Sequence, residues 1–406
     1  MLDIKFIRQN PKLVSEKAKQ KGYSVDINKL IDVDQQRRKL IEKVDQLRSQ
    51  RKDAAEKRDE KKGQQLKKEL KVKEDELEKL NDQFYELIRQ IPNLPKDDVP
   101  IGSDEKDNKV LRVAGKKPTF SFKPKDHLEL GVELDLIDVE CAAKISGSRF
   151  AFLKNELVTL EFAIVGYALD LLSREDFIPI IPPVLVNKKV IEGLGYPEYL
   201  TGEGYQTDDQ YLVGTAEHSI VSMHMDETFE KKDLPKRYVG FSTAFRREAG
   251  SYGKDTRGIF RVHQFDKVEM VSFVKDGDDD KEHEYLLSLQ EKLFQSLEIT
   301  YQVVKMCTAE LGFPVARKYD LEAYFPSEKR YREVTSASTT TDFQARRLNI
   351  KYKDGKESEF VLILNATAFA IGRTLIAIME NYQQKDGSIL APKALQKYTG
   401  FTKIPS

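Results

Sequence analysis

The sequence predicts two folding units: an N-terminal antiparallel helical hairpin, and a larger C-terminal domain of helices and β-rich runs. Three observations carry this. Across about 27–91, apolar residues recur at alternating 3- and 4-residue intervals, the spacing of a coiled-coil seam. The stretch Ile91–Pro100, IPNLPKDDVP, holds three prolines, and the polar GSDEKDNK that follows ends the pattern. From about Asn108, apolar helical stretches alternate with β-rich runs, which indicates α/β or α+β layers. The domain boundary is placed between residues 103 and 104, giving domains 1–103 and 104–406.

Composition bounds the function. At 406 residues the chain is long enough for a large core. Lys plus Arg (67) equals Asp plus Glu (67), so any basic surface must be local. No apolar run approaches the roughly 18 residues of a membrane span, and MLDIKFIRQNPKLV lacks the continuous apolar stretch of a signal peptide. Cys141 and Cys307 have no Cys or His at metal spacing. Zinc and a disulfide framework are therefore not expected, and two buried, inert thiols in a reducing cytoplasm are.

In chain order, Ile4, Ile7 and Val14 mark a short helical lead-in over 1–26, punctuated by Pro11. Val33, Leu40, Val44, Leu47 and Ala54 then form one seam, with Arg37 and Arg51 in two of its slots. Leu66, Leu70, Leu77, Leu80, Phe84, Leu87 and Ile91 form a second, with Lys73 in the remaining slot and a Gly-bearing turn expected around Gly63. Across Gln36–Lys73 there are 15 Lys or Arg against 7 Asp or Glu. Most charge runs are solvated helix faces, but this sign bias also suits a phosphate backbone. The residues concerned are Arg37, Arg38, Arg48, Arg51, Lys52, Lys57, Arg58, Lys61 and Lys62.

In the C-terminal part, Gly147–Leu153 is strand-like, Leu157–Arg174 reads as an apolar helix, and Phe177–Val186 as a strand edged by prolines. Gln210–Glu217 reads as extended, which would point Thr215 and Glu217 the same way. Asp276–Asp280 lacks the glycine and closing Glu of a calcium loop and instead starts a helix over Lys281–Leu297. Glu333 and Ser336 would suit Mg²⁺ bridging phosphate oxygens, since hard cations prefer oxygen ligands. Arg373 follows Gly372 near a helix start, a sound place to meet phosphate.

The most informative stretch is Phe245–Glu269, FRREAGSYGKDTRGIFRVHQFDKVE, which has the form of two strands joined by a long polar loop. It holds Arg246 close to Glu248, opposite Phe265 and Glu269. That set can grip a nucleotide, with guanidinium on phosphate, carboxylate on an exocyclic amine and ring against base. On spacing alone it fits a charged hairpin with a buried Phe equally well.

This stretch resembles motif 2 of class II aminoacyl-tRNA synthetases, in the form carried by the seryl-tRNA synthetase family. The resemblance extends over nearly the whole chain: MLDIKFIRQNP, the linker IPNLPKDDVPIGSDEKDN, a motif-1-like helix and strand with Pro183, the TAE of Thr215, Ala216 and Glu217, DFQARRLNIKY from Asp342, and a motif-3-like Leu364–Asn381. It implies an α+β fold, a six- to seven-stranded antiparallel sheet flanked by helices, preceded by the hairpin arm. It implies a cytoplasmic homodimer that joins L-serine to tRNA(Ser) using ATP and Mg²⁺, without zinc and without a membrane, and leaves open whether tRNA(Sec) is also charged. Carried over residue by residue, Arg246, Arg247, Glu248, Val262, Phe265, Glu333, Val334, Thr335, Ser336 and Arg373 fall to ATP. Glu333 and Ser336 hold the metal, and Thr215, Ala216, Glu217, Glu269, Asn365 and Thr367 fall to serine. Arg246, Arg373 and Glu333 would be catalytic, acting by charge neutralisation at the α-phosphorus.

Four positions depart from the family. Thr339 stands where Asn is usual, Leu362-Ile363 where His-Thr is usual, and Ala366 where Gly is usual. Two rivals are a non-catalytic paralogue that binds RNA and an amino acid:carrier-protein ligase. The retained motif arginines weigh against the first, and the basic hairpin against the second.

Overall fold

In the N-terminal unit, helices α1 (Ile4–Gln9) and α2 (Pro11–Gln20) precede the long helices α3 (Ile27–Glu56) and α4 (Glu60–Arg89), which pair as a hairpin. The computed structural model describes residues 1–249 and 257–405. The seam is largely the expected one: Val44, Leu47 and Ala54 bury against Leu66 and Leu70, and Val33 against Phe84 and Ile88. The turn, however, is Lys57–Asp59, with Arg58 at φ 54° and the Asp59 carboxylate accepting from the Lys62 amide at 3.0 Å. Gly63 lies inside α4 instead, because the Asp59 cap starts the helix before it. The arginine in the seam is also accounted for. Arg37 Nε donates to Asn81 at 2.6 Å, and its guanidinium lies 4.7 Å from the Phe84 ring centre. The buried Asp34 pairs with Arg38 at 3.1 Å and Arg8 at 3.6 Å.

The chain divides at Leu94/Pro95, ahead of the expected 103/104. Residues 95–102 belong with the C-terminal unit because they bond to it: the Lys96 amide donates to Ala316 at 2.9 Å, and Val99 packs against Val304 and Met306.

The C-terminal unit is built on strands β1 (Lys109–Ala114), β2 (Ile178–Ile180), β3 (Lys236–Phe245), β4 (Gln264–Val274), β5 (Tyr301–Lys305), β6 (Arg317–Phe325), β7 (Arg330–Thr341) and β8 (Leu362–Ala370). Their order across the sheet is β1-β5-β6-β7-β8-β4-β3-β2. All pairs are antiparallel except β2 with β3. The sheet thus has eight strands among the described residues, against the expected six or seven; β1 is an edge strand that the sequence did not announce. The proline-edged run Phe177–Val186 contributes only β2, because Pro182 and Pro183 interrupt it before Leu185–Asn187, which pairs elsewhere. Gly147–Leu153 yields only the two-residue strand Phe152–Leu153.

Alternate residues of β4 serve different faces, as a strand requires. Val268 and Met270 join a cluster with helices α5 (Glu156–Ser173), α7 (Asp279–Ser296) and α9 (Ile371–Tyr382). Val271 and Phe273 join another with α6 (Glu217–Ser222) and α8 (Phe343–Leu348). Lys267 and Glu269 continue the second series and line the cavity, which Phe265 also lines while packing against the first cluster. Cys307 is buried but Cys141 is exposed, so only one thiol matches expectation. No helix among the described residues is long and apolar enough to cross a membrane.

Candidate active site

Strands β3 and β4 pair with Phe265 opposite Ala244 and Gln264 opposite Phe245, as the Phe245–Glu269 pattern requires. Residues 250–256 of the intervening polar loop lie outside the described residues. Arg246 is the first residue past β3. Its amide donates to the His263 carbonyl at 2.9 Å, its Nε donates to the Gly214 carbonyl at 3.1 Å, and its guanidinium sits 5.5 Å from the Phe265 ring centre. Glu248 takes a left-handed conformation at φ 51° and pairs with Arg261 at 2.5 Å. The Glu203 carboxylate accepts from the amides of Glu248 and Ala249 at 3.0 and 3.1 Å, which fixes the start of the loop. Arg247 turns aside: its Nε donates to the Gly204 carbonyl at 3.1 Å, and it stacks on Tyr205 instead of lining the cavity.

Strand β8 runs into α9, which carries Arg373 in its first turn. Gly372 allows this approach, since a Cβ there would stand 3.2 Å from the Ile259 carbonyl. Arg373 donates to the Glu333 carbonyl at 3.1 Å and to its carboxylate at 3.0 Å. Burial works to raise the Glu333 carboxyl, but Lys318 and Arg373 outweigh it and hold it down to about 2. The carboxylate is therefore charged at neutral pH, and the Ser336 hydroxyl lines the same cavity. Val262, Phe265, Val334 and Thr335 line it too.

At the other end stand Thr215, Glu217, Glu269, Asn365 and Thr367. Thr215–Glu217 is not extended as expected. It turns into α6, with the Glu217 amide donating to Thr215 Oγ1 at 3.2 Å, yet both side chains still face the cavity. Ala216 packs beneath them in the cluster of Ile220. The Glu217 carboxylate accepts from Tyr196 and from Gln344, both at 2.9 Å. Burial pushes its carboxyl up, those two hydrogen bonds oppose the rise, and Glu269 adds to it. Glu269 Oε2 meets Lys267 Nζ at 2.6 Å and accepts from Thr367 Oγ1 at 3.0 Å.

One cavity of about 440 Å³ joins the two ends. One end offers guanidinium, ring and oxygen ligands to a nucleotide. The other offers two carboxylates and a hydroxyl to a small cationic ligand with a hydroxyl of its own. Tyr196, Arg261, Lys267, Lys318 and Gln344 were not singled out from sequence. Tyr196, Arg261 and Gln344 find their partners on other segments, whereas Lys267 and Lys318 meet acids two residues along their own strands, Glu269 and Asp320; Lys267, at strand spacing from Phe265 and Glu269, carried a usable signal.

The four departures do not line the cavity. Leu362 and Ala366 are in the first core cluster and Ile363 in the second, while Thr339 is buried with its hydroxyl 3.5 Å from Asp279. In the hairpin, Arg37, Arg38 and Arg48 are engaged internally, Arg48 with Glu74 at 2.8 Å, whereas Arg51, Lys52, Lys57, Arg58, Lys61 and Lys62 are exposed.

Residues 1–95 match the model of the seryl-tRNA synthetase N-terminal domain, and residues 201–382 that of the class II tRNA synthetase core domain (G, H, P, S and T). The serine–tRNA ligases of Dictyoglomus thermophilum and Dictyoglomus turgidum are 44% and 42% identical over 421 residues, covering 100% of this chain and 99% of theirs. The seryl-tRNA synthetase of Pyrococcus horikoshii, solved in complex with ATP, superposes with a TM-score of 0.93 at 38% identity, covering 100% of this chain and 99% of its own. The cytoplasmic serine–tRNA ligase of Naegleria fowleri, in complex with AMP, gives 0.90 at 32% identity, covering 100% and 98%. With both domains matched in order and relatives similar from end to end, the chain belongs to the seryl-tRNA synthetase family of class II aminoacyl-tRNA synthetases.

Proposed function

We propose that this protein activates L-serine with ATP to seryl-adenylate, releasing pyrophosphate, and then passes the seryl group to the 3′ end of tRNA(Ser), releasing AMP. The observation that carries the reading is the single cavity with Arg246 and Arg373 at one end and Glu217, Glu269 and Thr367 at the other. In the first step the serine carboxylate attacks the α-phosphorus and the bond to pyrophosphate breaks. In the second the terminal ribose hydroxyl attacks the acyl carbon and the bond to AMP breaks. No side chain need become covalently attached. Positioning and neutralisation of developing charge supply the rate.

Arg246 holds the α-phosphate, Phe265 stacks on the base, Val262 forms the wall and Glu248 receives the adenine amino group. Arg373 closes on the triphosphate. Glu217 receives the serine ammonium, while Glu269 and Thr367 read its hydroxyl. Glu333 and Ser336 fit Mg²⁺, being a charged carboxylate and a hydroxyl in one cavity. The ion would neutralise phosphate charge there.

The exposed cations from Arg51 to Lys62 would meet the tRNA backbone. A homodimer is supported by exposed apolar residues on α5 and beside β2, Phe162 at 62% and Ile181 at 86% exposure. We place the protein in the cytoplasm and expect zinc chelation to leave activity unchanged. Charging of unfractionated tRNA with labelled serine tests the reading. Adenylate formation without tRNA charging would favour the carrier-protein ligase, and neither reaction the non-catalytic paralogue.

A further inference from the structure

We propose that Lys267 is a positioning residue of the amino-acid pocket: it holds the Glu269 side chain oriented, leaving one carboxylate oxygen open to the substrate hydroxyl. The inference rests on the serine reading of this cavity and deepens it. Lys267 is 6% exposed and lines the cavity. Its Nζ lies 2.6 Å from Glu269 Oε2, the same oxygen that accepts from Thr367 Oγ1 at 3.0 Å. Two donors converge on Oε2, so Oε1 is the acceptor left for a ligand. Pinning one carboxylate oxygen fixes the direction of the other.

Charge balance gives the second reason. The amino-acid end holds two carboxylates, Glu217 and Glu269, and one ammonium, Lys267. Serine brings an ammonium and a carboxylate, and Arg246 faces the same groups, so with serine bound three groups of each sign meet. Removing Lys267 leaves one acid without a counterpart. Burial pushes the Lys267 ammonium down, and the neighbouring Glu269 opposes the fall. The other groups facing this pair are Glu217 and His218 on α6, Arg246 at the end of β3, and Tyr196. His218 is pushed down to about 3 by burial, so it stays neutral at the pH of any assay. Burial and Glu217 push the Tyr196 hydroxyl well up, so it stays protonated.

The test is serine-dependent ATP–pyrophosphate exchange by wild type, Lys267→Gln and Lys267→Arg. Lys267→Gln should lose about 100-fold or more in kcat/KM for serine, mainly through KM. The KM for ATP should stay within about threefold of wild type, because the adenine end is untouched. Lys267→Arg keeps a charged donor for Glu269 and should bring the serine KM back to within about tenfold of wild type. A Gln variant within threefold of wild type, one that loses serine and ATP kinetics together, or an Arg variant as poor as Gln overturns the proposal. If Lys267→Gln melts below assay temperature, the apolar Lys267→Met decides by the same split between the KM for serine and the KM for ATP. Wild type inactive with serine would sink the function itself, an outcome distinct from any of these.

Discussion

Arg373 grips Glu333 twice, donating to its backbone carbonyl at 3.1 Å and to its carboxylate at 3.0 Å. This pairing ties the start of α9 to the middle of the sheet and keeps two opposite charges ready at the phosphate end. Arg246→Ala and Arg373→Ala should each cost about 2–4 kcal/mol of transition-state stabilisation, the range for losing a preorganised charge donor. Exchange kinetics measure this, and circular dichroism should report unchanged folds.

The same pair sets a pH dependence. Glu333 is held down to about 2, below its ordinary value. Its stabilising contribution is therefore fully present above the usual carboxylate range and lost as pH falls through about 2. Arg373→Ala lets the carboxyl rise, so this contribution shrinks: the variant should be less stable than wild type at neutral pH, and the gap should narrow on acidification. Denaturant melts of both proteins at neutral and acid pH check the narrowing.

In the hairpin, the exposed and the engaged cations should behave differently. Changing Arg51, Lys52, Lys57, Arg58, Lys61 and Lys62 together to Gln should weaken tRNA binding and flatten its salt dependence by about 0.7–0.9 for each phosphate no longer neutralised. Serine-dependent exchange should be unaffected. Arg37→Ala should instead destabilise the hairpin by about 1–3 kcal/mol, because it leaves Asn81 without its donor and bares Phe84. Salt titrations of tRNA binding and thermal unfolding separate the two classes.

Ala366 is buried in the core cluster on the face away from Asn365 and Thr367. Ala366→Gly, which restores the usual family residue, should leave amino-acid preference unchanged. It should lower stability by about 1 kcal/mol through backbone entropy and poorer packing. Exchange with serine and threonine, together with a denaturant melt, covers both halves.

Much of this was legible in the sequence because it is local. The seam of α3 and α4, the β3–β4 pair around Arg246 and Phe265, and the passage from β8 into α9 at Arg373 all follow from spacing within short stretches. What was missed depends on distant partners. Strand β1 exists because Lys109–Ala114 finds β5 almost 200 residues later. Gly63 suggested a turn by propensity, yet the Asp59 cap decided where α4 begins. Thr215–Glu217 alternates like a strand but turns into α6. Lys267 stands two residues from Glu269 on β4, but that Thr367 of β8 shares the same carboxylate oxygen follows only from the sheet pairing. The departures at Thr339, Leu362, Ile363 and Ala366 stand next to site residues in sequence, and strand alternation and packing keep them out of the cavity.

The central claim is that the cavity activates serine by reading its hydroxyl, and exchange of pyrophosphate into ATP with serine, alanine and threonine under matched conditions tests it most directly. Serine should exceed alanine by roughly 10⁴-fold, since alanine brings no donor to the second carboxylate oxygen of Glu269. Threonine, excluded only by fit around one extra methyl, should be disfavoured by about 1–3 kcal/mol. Alanine within tenfold of serine would contradict the assignment of Glu269 and Thr367, and no exchange with serine would contradict the activity itself.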